Sequence, residues 1–295
     1  MHYADGLLTV VFNGEIFNFV ELRDELKLKG YVFQSDSDTE VLLAAYHAWG
    51  KACLNRFNGF WAFALWDERT SELWIARDRF GIKPLYVYHE QGRRLVFGSE
   101  TIQFKHLQGF QREADAACVS VAIQNPWMLE GTGKTIYSGI QQVRPGHYLS
   151  VGANATIAET RWWDTSANLT AIPENYNQQV TRFRELFEDA VRLRLRSDVS
   201  IGSALSGGLD SSAVYSTIHH LMNGKEDAYR LPADWQRAFV AVFPGTEQDE
   251  QEYAQKVLQH TKGTGVFFDM MDTPHGLTDR LIQSIHDTML FTPHH

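Results

Sequence analysis

Two domains of mixed class are predicted, an α+β half followed by an α/β half. Three observations carry that prediction. Short aromatic and β-branched runs parted by polar turns fill residues 61–98, the pattern of antiparallel strands. Beyond residue 180, apolar strands alternate with amphipathic helices, which implies a parallel sheet with helices on its faces. At the start of that alternation stands SGGLDSS, Ser206 to Ser212, a glycine turn leading from a short apolar strand into a helix.

Taken in order, Leu7 to Phe12 reads as a compact strand ending in Asn13-Gly14-Glu15-Ile16-Phe17-Asn18. Phe19, Leu22 and Leu26 then share one side of a helix that Gly30 stops. Either Ser37 or Asp38 can cap the next helix, whose buried stripe is Val41, Leu42, Ala45, Tyr46 and Trp49, with Gly50 at its end. Trp61–Trp66, Glu72–Ala76, Pro84–Tyr88 and Leu95–Gly98 form the predicted antiparallel meander. Between its second and third strands runs Arg77 to Tyr86, whose charges are expected to hold a loop through internal ion pairs around a glycine turn. A helical stretch near Cys118 follows, then a weakly patterned region. Its Gly133-Lys134-Thr135 is not the tail of a phosphate loop, because Met128 stands where the first glycine belongs and no helix follows.

A first domain is therefore expected over 1–166, a linker without periodicity over 167–178 and a second domain over 179–295. The second opens on a helix carrying Val180, Phe183, Leu186, Phe187, Ala190 and Val191 on one face. After it come a strand over Val199–Leu205, SGGLDSS and its helix, a strand at Phe239–Phe243, a helix at Tyr253–Leu258, a strand at Val266–Phe268 and a helix around Leu277–Ile285.

Composition narrows the function. A chain of 295 residues with 44% hydrophobic and 21% charged residues is an ordinary globular protein. A formal charge of −9 offers nucleic acid no basic face, and no long apolar run suits a membrane. Two cysteines, Cys53 and Cys118, are too few for a disulfide scaffold, so a cytoplasmic location is expected.

SGGLDSS is the stretch with the clearest chemistry. A strand-to-helix turn presents free backbone N–H groups and the positive end of a helix dipole to an anion. Gly207 and Gly208 let the main chain approach a ligand, Ser206, Ser211 and Ser212 add hydroxyl groups, and Asp210 adds a carboxylate suited to Mg²⁺. No lysine is present, so the loop is not of the GxxxxGK[ST] kind. It resembles the pyrophosphate loop of enzymes that split ATP between its α and β phosphates and adenylate a substrate.

Asn13-Gly14-Glu15-Ile16-Phe17-Asn18, Ser37-Asp38-Thr39-Glu40, the Arg77 to Tyr86 run, Gly98-Ser99-Glu100, Pro145-Gly146-His147-Tyr148 and SGGLDSS follow one another in the order and rough spacing of the glutamine-hydrolysing asparagine synthetases. The chain resembles that family along nearly its whole length. The resemblance implies a partial αββα sandwich of the N-terminal-nucleophile type that releases ammonia from glutamine. A partial parallel α/β sheet of the adenine nucleotide hydrolase type would follow, where ATP and Mg²⁺ activate aspartate as β-aspartyl-AMP. Ammonia would then give asparagine, AMP and pyrophosphate. It further implies that Asn13 and the N–H of Gly14 form an oxyanion hole and that Glu15 and Asp38 hold the amino end of glutamine. Ser206, Gly207, Gly208, Asp210 and Ser211 would seat the pyrophosphate and metal, with Leu205 and Ala241 touching the nucleoside. Glutamine and aspartate would be the partners, with no nucleic acid or membrane, and the assembly it allows is a homodimer.

Three features depart from the family pattern. The family's nucleophile is an N-terminal cysteine, whereas this sequence begins Met1-His2-Tyr3. An arginine-containing region that grips the glutamine carboxylate in relatives is not seen before Asn13, and a second acidic phosphate loop is not seen before His295. The expectation is a central fragment of a longer enzyme that hydrolyses no glutamine by itself. Two other readings are a relative that closes a β-lactam or peptide ring by the same adenylation, and a non-catalytic protein that binds nucleotide or a partner subunit.

Overall fold

The computed structural model describes residues 1–222 and 237–271; the helix expected around Leu277–Ile285 lies outside them. The described chain divides between Leu169 and Thr170 into two compact units.

In the first unit, β1 (His2–Tyr3), β2 (Leu8–Ile16), α1 (Phe19–Leu28), α2 (Asp38–Trp49), β3 (Gly59–Asp67), β4 (Glu72–Arg77), β5 (Tyr86–Glu90), β6 (Arg94–Gly98), α3 (Ala116–Gln124), β7 (Ile140–Gln142), β8 (His147–Val151) and β9 (Ile157–Arg161) succeed one another. A six-stranded sheet has the order β1-β2-β3-β4-β8-β9 and a three-stranded sheet the order β6-β5-β7. Every pairing in both is antiparallel.

Residue size along β3 explains the layering. Trp61, Phe63 and Leu65 point to one side and pack with Leu22, Leu26, Leu42 and Leu43 of α1 and α2. Ala62 and Ala64 point to the other and meet Leu85, Val87 and Val143 around the second sheet. Large side chains fill the space under the helices, and small ones let the two sheets approach. Trp61 and Trp74 are fully buried. Trp74 has edge or tilted contacts with Tyr46, Phe63 and Tyr148 at 5.0–5.8 Å, each worth about 0.5–1.5 kcal/mol beyond burial.

The expected sandwich of antiparallel sheets is present, with one change in each outer element. The meander is not one sheet: after β4 the Arg77–Lys83 stretch carries the chain across to the second sheet, where β5 and β6 pair. The fourth layer is thin, made chiefly of the turn Thr101–His106 and the aromatic residues Phe104, Phe110 and Tyr137. Of α3, only Cys118 is buried.

The second unit contains α4 (Tyr176–Arg194), β10 (Gly202–Ala204), α5 (Leu209–Met222), β11 (Arg237–Val242), α6 (Gln251–Thr261) and β12 (Thr264–Asp269). Asn175 caps α4 by accepting from the N–H of Asn177 at 2.9 Å, so the helix begins inside the stretch read as linker. The sheet is parallel, ordered β10-β11-β12, as the alternation predicted. Ala238, Val240 and Val242 of β11 are buried with Leu205, Tyr215 of α5 and Ala254 and Leu258 of α6. Val191, Leu195 and Ile218 join α4 to α5.

Candidate functional site

Two regions gather the residues that the sequence singled out, one in each unit. In the first, Asn13 to Ile16 belong to β2 itself, because the strand stays paired with β3 as far as Ile16 opposite Gly59. The register decides where its amides point. Phe17 N–H donates to Asn58 O and Glu68 N–H to Leu7 O, so odd residues of β2 bond toward β3. Even residues face the opposite edge: Val10 N–H meets Met1 O at 2.9 Å, and Ile16 N–H meets the Asp38 carboxylate at 2.9 Å. The N–H of Gly14 lies between them on that same edge. A side chain at Gly14 would run into Phe60 O and come within 2.6 Å of Trp61 Cα, so the close strand approach there needs glycine. Asn13 points its amide off the face shared with Glu15 and donates to Ser99 Oγ at 3.1 Å. Asn18 closes the element, donating to Arg56 O and accepting from Asn58 N–H.

Ser37 caps α2, accepting from Thr39 N–H at 3.1 Å, which leaves Asp38 in the first turn free to reach β2. Glu15 and Asp38 are near enough for their charges to interact. Burial pushes the Glu15 carboxyl above its ordinary range; the Asp38 charge adds to the rise and Lys83 opposes it. Burial likewise raises Asp38, against the hydrogen bonds from Ile16 and Thr39. Glu15 is exposed on β2 and Asp38 is half-buried beside the Ile16 amide, so the two carboxyls stand near one end of the strand, a disposition that suits a cation.

Lys83 reaches this region from the Arg77–Lys83 stretch, its ammonium 5.0 Å from the Phe60 ring centre. That stretch is held by charge-to-backbone bonds rather than the ion pairs expected of it. Arg77 donates to the carbonyls of Lys83, Gly81 and Val143, and Asp78 accepts from the amides of Trp61, Phe80, Ile82 and Lys83. Gly81 has φ +68°, where a side chain would strike Pro145 and Arg77. Sequence reasoning gave Lys83 and Ser99 no role, although both stand in the quoted motifs. Cys53 and Cys118 are buried, and burial raises both thiols, the opposite of the lowered value that marks an activated nucleophile.

In the second unit, Leu205 follows β10 and is buried, its N–H donating to Phe239 O at 2.9 Å. The chain then turns at Gly207, φ +91°, and enters α5 at Leu209. A Cβ at Gly207 would lie 2.7 Å from Tyr253 Cβ and 2.8 Å from Ala254 N, so the turn is pressed against the start of α6. Ser211 Oγ accepts from Ser206 N–H, donates to Gly208 O and sits 3.0 Å from Ser206 Oγ, while Ser206 Oγ accepts from Gly208 N–H at 3.2 Å. Ser206 and Asp210 are exposed and Gly207 and Gly208 half-buried, leaving an open loop at the carboxyl end of the sheet. Ala204 pairs with Phe239, and Ala241 follows two residues further along β11, toward the same carboxyl end of the sheet. No group of three or more metal-ligating side chains occurs among the described residues. Asp210 is an exposed carboxylate in the first turn of α5, an oxygen donor of the kind that Mg²⁺ takes.

Among the described residues no helix is long and apolar enough to cross a membrane. Residues 1–163 match the family model for a glutamine amidotransferase domain, and residues 182–282 match the one for asparagine synthase. Glutamine-hydrolysing asparagine synthetase 3 of Bacillus subtilis is 35% identical over 237 residues, 79% of this chain and 38% of that protein. The amidase chry2 of Gibberella zeae is 30% identical over 302 residues, 99% of this chain and 42% of that protein. A slighter likeness, with a TM-score of 0.40 and 14% identity, joins 99% of the chain to 71% of a solved glutamine phosphoribosylpyrophosphate amidotransferase from B. subtilis, complexed with ADP and GMP. The chain spans about two fifths of the length of the curated relatives it matches. With an amidotransferase half carrying the Asn13–Asn18 strand edge and a following half carrying SGGLDSS, each matched in that order, the chain belongs to the glutamine-hydrolysing asparagine synthetase family.

Proposed function

We propose that the chain carries the glutamine-binding and ATP-binding regions of an enzyme that amidates aspartate to asparagine with ammonia drawn from glutamine. The observation that carries the first half is the Asp38 carboxylate bonded to Ile16 N–H at the end of β2 that also bears Glu15 and a Gly14 N–H facing away from β3. An α-ammonium group between the carboxylates gains two charge-assisted hydrogen bonds. The same ligand lays its side-chain amide along the strand edge. There the Asn13 amide and the Gly14 N–H stabilise the oxyanion that forms when that amide is attacked.

In the second half, the amides of Gly207 and Gly208, the hydroxyls of Ser206 and Ser211 and the N-terminus of α5 bind the β and γ phosphates of ATP. Leu205 and Ala241 border the nucleoside. Asp210 would hold Mg²⁺, which would supply positive charge to offset the negative charge developing on the pyrophosphate. The β-carboxylate of aspartate attacks the α phosphorus, pyrophosphate leaves, and ammonia displaces AMP from the acyl phosphate to give asparagine. What supports aspartate as the acceptor is the family, since no described residue is assigned to it.

Titration of the ¹⁵N-labelled chain tests both regions. Glutamine is expected to move the amide resonances of Gly14 and Ile16, and ATP with Mg²⁺ those of Gly207, Gly208 and Ser211. Millimolar ligand that leaves these amides unmoved overturns the assignment of the corresponding region.

A further inference from the structure

The irregular stretch ahead of α2 is held by neither a strand nor a helix, yet it leads directly into Asp38. Two buried charged side chains take hold of it residue by residue. Glu40 is 5% exposed, and its carboxylate accepts from Gln34 N–H at 2.8 Å, from Ser35 N–H at 2.7 Å and from the Ser35 hydroxyl at 2.6 Å. Arg23 is 6% exposed and donates to the Asp36 carboxylate at 2.9 Å and to Ser37 O at 3.1 Å. Its guanidinium lies between the rings of Phe19 and Phe33, at 5.6 and 5.2 Å. Gln34, Ser35, Asp36 and Ser37 are thus each gripped by one of the two, and Asp38 follows directly.

The sequence disguises this device. Ser37-Asp38-Thr39-Glu40 has the S-x-x-E form of a capping box, in which the glutamate turns back to the N–H of the capping serine. In the structure Ser37 N–H goes to Ser35 Oγ instead, at 3.3 Å, and Glu40 reaches past it to the two preceding amides. A carboxylate spent on a loop rather than on its own helix end needs another reason to be there. In the first turn of α2, directly after the gripped loop, the Asp38 carboxylate crosses to another element and accepts from Ile16 N–H.

We propose that Glu40 and Arg23 are positioning residues that fix the Asp38 carboxylate at the edge of β2 for the ammonium end of glutamine. The inference rests on the glutamine reading above. Both residues lie beneath the loop and touch no ligand; they act by setting the backbone from which Asp38 projects. Releasing Gln34 and Ser35 lets the first turn of α2 shift, and a shift of a few tenths of an ångström is enough to lengthen the Asp38 bond to Ile16 and spoil a charge-assisted contact.

The experiment compares glutamine with 4-carbamoylbutanoate, which has the same amide and carboxylate but no amino group, on the 295-residue chain. In Glu40→Gln the affinity for glutamine is expected to fall about tenfold while that for the des-amino analogue stays within twofold. Asp36→Ala, an exposed change that removes the ion pair of Arg23 and leaves its bond to Ser37 O, is expected to give a fall of about threefold with the fold intact. Equal losses for both ligands, or no loss for either, overturn the proposal. Hydrogen exchange at the Ile16 amide reads the same positioning without ligand: it should quicken in Glu40→Gln, and an unchanged rate overturns the proposal. Wild-type chain that binds neither compound, or both alike, defeats the glutamine reading, and the Ile16 amide still reports on Glu40 separately.

Discussion

The strand edge of the first unit and the glycine loop of the second both offer backbone N–H groups to a ligand, but they free those groups by opposite means. At β2 the amides of Gly14 and Ile16 face away from β3 because the strand has run past its short neighbour β1, and the surroundings are fixed by side chains: Asp38, Asn13, Ser99 and Asn18 each make a defined bond. At SGGLDSS the amides are exposed because a helix has begun, and the side chains there mostly bond one another, Ser206 with Ser211 and both with Gly208. A site for an ammonium group must hold charges at fixed points, whereas a site for a polyphosphate needs many donors and few obstructions. The difference teaches which substitutions each region tolerates.

The largest effects belong to the glycines, and they separate two reasons for being glycine. Gly14→Ala places a methyl group against the backbone of Phe60 and Trp61 without straining φ, an overpacking cost of about 1–3 kcal/mol. Gly207→Ala adds to a similar clash with Tyr253 and Ala254 the strain of φ +91°, a further ~1–3 kcal/mol. Gly208→Ala meets only Ser206 Oγ at 3.3 Å and has ordinary φ, so it should leave stability within about 1 kcal/mol. Urea denaturation followed by hydrogen exchange in each unit ranks the three, and a Gly208 variant as unstable as the Gly207 variant would break the distinction.

That ranking bears on how much could be read without coordinates. Hydrophobic periodicity located most of the described elements, since Trp61-Phe63-Leu65 and Ala238-Val240-Val242 announce one buried face at period two. It failed where pairing, not pattern, decides. β2 continues through Asn13-Gly14-Glu15, three residues that ordinarily end strands, because β3 stays alongside them, and the meander splits between two sheets because the charges of Arg77 and Asp78 bind backbone rather than each other. Asn13, Asp38 and the SGG turn were legible as motifs. Ser99, Lys83, Arg23 and Glu40 were not, since their roles come from contacts with residues 13 to 86 positions away, or from a glutamate whose sequence reads as a local cap.

Charge substitutions come next in size and sharpen the contrast from the other side. Asp38→Asn keeps an oxygen for Ile16 N–H but removes the charge that an ammonium group meets, so glutamine affinity should fall by about 1.5–3 kcal/mol, tenfold or more, with the fold no less stable. Ser211→Ala in the loop removes one hydroxyl among several donors, and ATP affinity should fall by only about 0.5–1.5 kcal/mol. Calorimetric titration of the two variants with their two ligands measures both. A serine change that weakens ATP as severely as the aspartate change weakens glutamine would mean that the loop, too, depends on fixed side chains.

The smallest effect is one of pH, and it distinguishes the regions most directly. Glu15 and Asp38 are both raised above the ordinary carboxylate range, first by burial and, for Glu15, next by the Asp38 charge. The folded chain therefore holds more protons than the unfolded chain between the ordinary and the raised values, and across that window stability falls as pH rises. Below the ordinary values the two carboxyls impose no penalty; above the raised ones the penalty is complete. Glutamine reverses the sign, because its ammonium group binds the ionised pair: the stabilisation it confers should grow as pH rises through the same window, from about pH 4 upward. ATP at the loop is held largely by amides that do not titrate, so its stabilisation should follow only the protonation of its own phosphates. Thermal melts across this range with each ligand give the comparison. Glutamine protection that stays flat while the apo chain loses stability would show that the two raised carboxyls serve some purpose other than holding an ammonium group.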